Sequence, residues 1–420
     1  MKITLLTYGS RGDIQPFLAL AIALQRAGHI VTLAGPSSFS DFVHHMSADI
    51  FFSPLAGDPA ELSKSINAAG TNVYRMIHSI KKYIIGIAPQ VVRQIVDVTS
   101  DADLLVHSFL FTTGGHSLAR HLGIPDVSIQ VFPMFAPTGD FPNVALPSLG
   151  RAGNYLSHWL ATQIFWVGGN TGFRQIQYVL PDTFPRMLSW PFREPHPTPL
   201  LLACSPSVVP SSPDWHPNVH VTGYFFLENE KYHPPDVLSR FLQAGEPPLC
   251  VTFGSMINKR SQQIHQMIVD VINTCQGRAI LLTGWSKFKP VSQSENILIL
   301  DEAPHEWLFP RCKAVIHHGG AGTTAAGLRA GIPSIILPHA ADQPFWGARV
   351  YALSAGSRPI PVRKLSHSHL MQALKEIDDP VIINPAQVIG SKICAERGLE
   401  TAIELIEREK ARFTLKNRKL

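Results

Sequence analysis

The chain has 420 residues, 45% apolar and 16% charged, with Lys and Arg exceeding Asp and Glu by five. That length predicts two domains of about 200 residues, each with enough apolar content for its own core. Spread-out positive charge excludes nucleic acid as the expected partner, five widely spaced cysteines without a CxxC exclude a disulfide framework or zinc cluster, and no apolar run reaches the ~18 residues of a membrane span.

Met1-Lys2 leads directly into an apolar strand, Ile3 to Thr7, leaving no room for a signal peptide. The expectation is cytoplasmic residence, with peripheral contact with a membrane left open. GSRGD follows as an exit loop, then a helix from Ile14 to Ala27 with Pro16 in its first turn and Gly28 behind it. Strands are predicted at His29 to Ala34, Leu104 to His107 and Val127 to Val131, and helices at Ser38 to Met46, Tyr74 to Thr99 and Thr113 to Leu122. Such alternation predicts a parallel sheet. Residues 181–217 hold ten prolines, too many for a regular element interior, with one late strand at Leu200 to Cys204. A polar stretch over 226–245 reads as a linker between domains at 1–225 and 246–395. The second domain continues with strands at Leu249 to Phe253, Ala279 to Leu282, Ile297 to Leu300, Ala314 to Ile316 and Ser334 to Leu337, and a helix at Gln262 to Cys275. In 396–420, Leu399, Ala402, Ile403 and Ile406 recur at helical spacing ahead of a basic tail.

The segment His317 to Gln343, HHGGAGTTAAGLRAGIPSIILPHAADQ, carries the most chemistry. Gly319, Gly320 and Gly322 let backbone approach a ligand, and Thr323 and Thr324 are placed to cap a helix through Arg329, which Gly331-Ile332-Pro333 stops. A helix N-terminus beyond a strand favours phosphate, and His318 can add a donor. Asp342 and Gln343 then arrive at the same sheet edge, where a carboxylate beside a carboxamide suits sugar hydroxyls. The combination implies a sugar diphosphate, although the turn alone fits a plain structural turn or another nucleotide equally well.

With HHGGAGTT and ADQ, and with TYGSRGDIQPF at the N-terminus, the chain resembles the GT-B, family 1 glycosyltransferases, above all the sterol 3-beta-glucosyltransferases and actinomycete antibiotic glycosyltransferases. The resemblance implies two Rossmann-like α/β domains with a cleft between them: an N-terminal acceptor domain, a C-terminal nucleotide-sugar domain and a last helix crossing back to the first. It implies inverting transfer of glucose from UDP-glucose to a sterol-like hydroxyl, giving a β-glycoside, with Asp13 as general base. Asp13 equally suits a helix cap. Donor-binding residues would be Ser10, Arg11, Gly254, Ser255, Glu302, Ala303, His305, His318, Gly320, Ala321, Gly322, Thr323, Asp342 and Gln343. The helix dipole, His318 and Arg11 could carry the leaving charge, so neither metal nor cofactor is expected. Plant relatives stack a tryptophan on the base where this chain has glutamate; Trp285, Trp307 and Trp346 are substitutes or core. Tyr74, Phe109, Phe111, Phe132, Phe135, Phe141, Trp159, Phe165 and Trp166 are material for an apolar acceptor pocket or for the core.

The alternative within this class is transfer of a dTDP- or UDP-linked sugar to an antibiotic, polyketide or other lipid aglycone. A nucleotide-sugar epimerase fits the aromatic N-terminal half poorly, and a dinucleotide oxidoreductase would need GxGxxG after the first strand. A binding module without catalysis is the third class. A monomer or weak dimer is expected.

Overall fold

The computed structural model describes the chain apart from residues 62–72, 145, 147, 178–188, 195–196, 229–231, 255–260, 285–293 and 418–420. The elements run β1 (Lys2–Leu6), α1 (Arg11–Arg26), β2 (Ile30–Pro36), α2 (Ser40–Met46), β3 (Phe51–Leu55), α3 (Val73–Thr99), β4 (Leu104–Ser108), α4 (Thr112–Leu122), β5 (Asp126–Gln130), α5 (Gly150–Gln177), β6 (Leu200–Leu202) and β7 (Val219–Val221). They continue as α6 (Asp236–Gln243), β8 (Leu249–Thr252), α7 (Ser261–Thr274), β9 (Ala279–Leu282), β10 (Ile297–Leu300), β11 (Ala314–His317), α8 (Ala321–Arg329), β12 (Ser334–Ile336), α9 (Gln343–Ala352), α10 (His367–Glu376), α11 (Pro380–Ala395) and α12 (Gly398–Asn417). Two compact units result. One contains Met1–Pro206, Pro210–Leu227 and Arg397–Leu420; the other contains Ser207–Val209 and Glu228–Glu396.

The first unit is built on a seven-stranded parallel sheet in the order β3-β2-β1-β4-β5-β6-β7. Successive side chains of a strand point to opposite faces, so each strand serves two cores. Ile3, Leu5, Leu33 and Val106 pack with Phe17 and Leu18 of α1 and with Ala402 and Ile406 of α12. The last helix is therefore part of the first unit, and His29 meets Glu407 at 2.9 Å. Leu6, Ala34, Leu55 and Leu105 face the other way, toward Val91 and Ile95 of α3 and Leu118 of α4.

The second unit carries a five-stranded parallel sheet, β10-β9-β8-β11-β12. Leu249, Val251 and Ile316 pack under α7 and α10, whereas Cys250, Ile280 and Val315 face Leu308 and Phe309. Within the stretch read as a linker, α6 buries Leu238 in the second of these cores.

The sequence pattern predicts no strand at β3 or β7 and no helix at α5. Proline interrupts the alternation in β3, β7 is three residues long beside the proline-rich stretch, and α5 has little amphipathic period. The starts of α10 and α11 obey local rules. Ser366 accepts from the His369 amide, and Asp379 accepts from Val381 ahead of Pro380.

One buried polar cluster bridges β4, β5 and α4. Asp126 accepts from His107 Nε2 at 3.0 Å and lies 3.1 Å from His116 Nδ1, with Thr198 Oγ1 also 3.1 Å from His116. Burial opposes the Asp126 charge, but the two histidines outweigh it and hold the carboxyl below its usual range. Its contribution is thus present at neutral pH and is lost only as pH falls below the ordinary carboxylate range. Asp126→Ala leaves two buried imidazoles without their acceptor, and we expect a loss of about 3–5 kcal/mol in urea unfolding at pH 7. A loss under about 1 kcal/mol would show that the cluster is not a structural tie.

Candidate functional site

In the second unit, β11 ends at His317 and a three-residue turn delivers the chain to α8, whose N-cap is Gly320. The helix starts at Ala321, so Thr323 and Thr324 lie inside its first turn rather than capping it; Thr324 Oγ1 bonds back to the Gly320 carbonyl at 2.9 Å. Thus Gly322 and Thr323 supply helix-start amides without partners inside the helix, the Ala321 amide is directed at Asp342, and no acidic side chain of the helix itself occupies that turn. Glycine at 320 is a packing requirement, because a Cβ there would stand 2.5 Å from His318 Nε2. Gly254 is also close to that imidazole, since a Cβ there would stand in van der Waals contact with Cε1 at 3.5 Å. His318 is packed against two glycine turns.

Burial pushes His318 down to about 3, with repulsion from His339 and His305 adding to it, so the ring is neutral in the physiological range. Its Nδ1 is buried without a hydrogen-bond partner. A neutral ring offers a hydrogen bond without the cost of a buried cation. His317 is completely buried, with Nδ1 accepting from the Gly319 amide at 3.1 Å, and is structural.

Asp342 is the N-cap of α9, and its Oδ2 accepts from the indole of Trp346 at 2.9 Å. Burial raises this carboxyl from 3.8 to about 6, against the lowering effect of backbone amides that include Ala321 at the start of α8. The glycine turn and the carboxylate are therefore adjacent. Gln343, also buried, accepts at Oε1 from the amides of His339 and Ala340 at 2.8 and 3.2 Å and so holds the loop that precedes it.

Ahead of β11, Glu302 is exposed, Ala303 is buried and His305 stacks on Phe309 at 4.5 Å. Trp307 packs edge-on to Tyr232 and carries the Arg311 guanidinium over its face, while Trp346 is core. Ser255 and Trp285 lie outside the described residues.

In the first unit, the loop predicted at GSRGD is mostly helix. Ser10 caps α1, and its amide donates to Asp13 Oδ2 at 2.8 Å, with its hydroxyl 3.1 Å from the same oxygen. The helix thus begins at Arg11, three residues earlier than the apolar pattern indicates. Gly9 makes this possible: it sits at φ +137°, and a Cβ there would overlap Asp13 Oδ2. Arg11 lies over the Phe42 ring at 4.8 Å and bonds Gln15 at 3.3 Å.

Six aromatic rings gather beyond β5. Phe109 meets Phe132 and Phe165, and Phe135 meets Phe165, Trp190 and Phe192, with ring centroids 5.0–6.1 Å apart. At their base Gln130 accepts from the Phe135 amide at 3.2 Å, while its Nε2 is buried without a partner. Sequence reasoning passed over Gln130, although a glutamine closing an apolar strand was a readable signal. Trp159 is 53% exposed on α5 and does not join the rings. Phe111 packs instead on Tyr8, and Phe141 on His158 and Trp215. Among the described residues no group of three or more His, Cys, Asp or Glu side chains is arranged to hold a metal ion.

Residues 3–133 match the glycosyltransferase family 28 N-terminal domain, and residues 286–401 the C-terminal domain of erythromycin biosynthesis protein CIII-like sequences. The chain is 33% identical to sterol 3-beta-glucosyltransferase UGT80A2 of Arabidopsis thaliana, over 96% of this chain and 65% of that one. It is 32% identical to UGT80B1 of the same plant, over 97% of this chain and 68% of that protein. It thus spans about two thirds of these relatives' length. The solved kitacinnamycin glycotransferase superposes with a TM-score of 0.73 at 18% identity, over 97% of this chain and 98% of that one, a likeness of fold.

The raised Asp342 carboxyl has a measurable consequence. The folded chain holds this proton up to about pH 6 and the unfolded chain only to about 3.8, so ionisation costs stability as pH rises through that window. Asp342→Asn is expected to raise Tm at pH 7.5, with the gain shrinking as pH falls from 6 toward 4. A variant less stable than wild type at pH 7.5 would refute the buried-charge account.

Proposed function

The chain belongs to the GT-B family 1 glycosyltransferases, close to the sterol 3-beta-glucosyltransferases, and from that premise we propose that it transfers glucose from UDP-glucose to the hydroxyl of a sterol-like alcohol. The supporting observation is the start of α8: helix amides and a neutral, closely packed His318 beside the desolvated carboxylate of Asp342. Amides and a neutral imidazole suit a diphosphate, and a carboxylate suits hexose hydroxyls. A deoxygenated sugar would leave buried polar groups underused, which favours glucose over the dTDP-deoxysugar alternative. Gly254, Ser255, Gly320, Ala321, Gly322 and Thr323 line the diphosphate in this reading, with Ser10 and Arg11 as the first unit's phosphate donors. Glu302 takes the ribose, and the backbone at Ala303 and His305 the pyrimidine edge.

In the reaction, Asp13 takes the proton of the acceptor hydroxyl while that oxygen attacks the anomeric carbon. The bond from carbon to the diphosphate oxygen breaks as the new bond forms on the opposite face, so an α-linked donor gives a β-glycoside. The departing charge is met by the α8 amides and His318 without need of a metal. The aromatic rings above Gln130 provide the apolar half of the acceptor site, and the unpartnered Gln130 amide provides one polar group for orientation.

Asp13→Asn separates the aspartate's two roles, because an amide oxygen can still accept from Ser10 while the base is lost. The variant should retain the UDP-induced rise in Tm and lose at least about a hundredfold in turnover of UDP-glucose with a sterol. Turnover within tenfold of wild type removes Asp13 as base, and a chain whose Tm responds to neither UDP, dTDP nor their sugars has no donor site of this kind.

A further inference from the structure

Asp342 is held from the core side. Trp346 is completely buried, meets Phe345 edge-on with ring centroids 5.1 Å apart, and donates its single N–H to Asp342 Oδ2 at 2.9 Å. The two residues bracket the first turn of α9, where the Trp346 amide also reaches the Asp342 carbonyl at 3.2 Å. This turn has little room to shift. A Cβ at Gly347 would stand 2.9 Å from Pro359, and one at Gly319 would stand 3.1 Å from the Gln343 carbonyl. Asp342, unlike Trp346, keeps part of its surface accessible.

As a stabilising contact the pair is a poor choice. Burial opposes the Asp342 charge, and the indole and the Ala321 amide recover only part of that cost, whereas an apolar side chain would have no charge to desolvate. As a means of aiming a carboxylate the pair is well suited. The torsion that exchanges the two carboxylate oxygens is broad in an unrestrained aspartate, and an indole with one donor, fixed in the core, selects Oδ2. Oδ1 then carries most of the accepting capacity that remains, at a set angle beside the glycine turn.

We propose that Trp346 is a positioning residue for the donor sugar: its indole N–H aims the Asp342 carboxylate at a hexose hydroxyl and has no part in holding the diphosphate. The inference rests on the reading of Asp342 as the sugar-binding group.

The test is calorimetric titration of the full chain with UDP-glucose and with UDP. Replacing Trp346 by its benzothiophene isostere keeps the shape of the ring and removes the N–H; UDP-glucose binding should weaken about tenfold while UDP binding stays within about twofold. Trp346→Phe, which also opens a gap in the core, should show the same sugar-specific loss with a lower Tm. In an Asp342→Asn background the isostere should add less than about twofold, because the carboxylate it acts on is gone. Wild-type affinity for UDP-glucose should rise as pH passes about 6 and the carboxylate forms, and the isostere should move that midpoint up by about one pH unit, since the ionised form loses a donor. His318 and His339, lowered to about 3 and about 4, are already neutral there. Equal losses for UDP and UDP-glucose make Trp346 a packing residue and overturn the proposal, as does an isostere that binds UDP-glucose like wild type. If Asp342→Asn alone leaves UDP-glucose binding at the wild-type level, the sugar role of Asp342 fails first and the proposal falls with it.

Discussion

All strand pairs in both sheets are parallel, and that constraint decides where chemistry can occur. Parallel strands place all their carboxyl ends at one edge, and each returning helix starts there with its free amides. The segments that follow β1, β8 and β11 accordingly bear Asp13, in the first turn of α1, Gly254 and His318. Close approach at these ends is governed by steric limits as much as by charge. A methyl group at position 9 would displace the Asp13 carboxylate, and one at position 320 would displace the His318 ring.

Desolvation sets the electrostatic character of the second unit's edge. His317, His318 and His339 are all held below the usual imidazole range by burial, and Asp342 is held above the usual carboxylate range by the same cause. The edge therefore presents neutral donors and a reluctant anion rather than fixed opposite charges. Among them His318, whose Nδ1 is buried without a partner, gains most when a ligand supplies one. The first unit answers the same problem differently at Asp126, where two histidines compensate a buried carboxylate directly.

Much of the second unit was legible in the sequence, because its strands are short unbroken apolar runs and the HHGGAGTT turn has a local physical meaning. Even there the helix boundary shifted. The threonines that look like caps sit inside the first turn, since His318 imposes glycine at the cap. At the N-terminus the capping box between Ser10 and Asp13 is a local signal, but the apolar period starts only at Ile14 and drew the boundary with it. What stayed illegible depends on distant partners. Leu238 lies in a polar stretch and is buried by strands elsewhere in the unit. Helix α5 mixes polar and apolar residues with little amphipathic period, so the sequence does not say which face turns inward, and Trp159 was grouped with pocket aromatics for that reason. Gln130 acquires meaning only beside the rings that later segments bring to it.

Ala402 and Ile406 of α12 are fully buried in the core that Ile3 and Leu5 begin, so the first unit is a composite of the chain's two ends, with residues 228–396 folding separately between them. During synthesis from the N-terminus, the seven-stranded sheet is made long before the helix that covers part of its apolar face. At ~5–20 residues per second the wait lasts on the order of ten seconds or more. The intervening unit can complete its own core during that interval. The unit whose strands are made before the intervening one is thus closed after it, and its open face must be kept from other chains until α12 emerges.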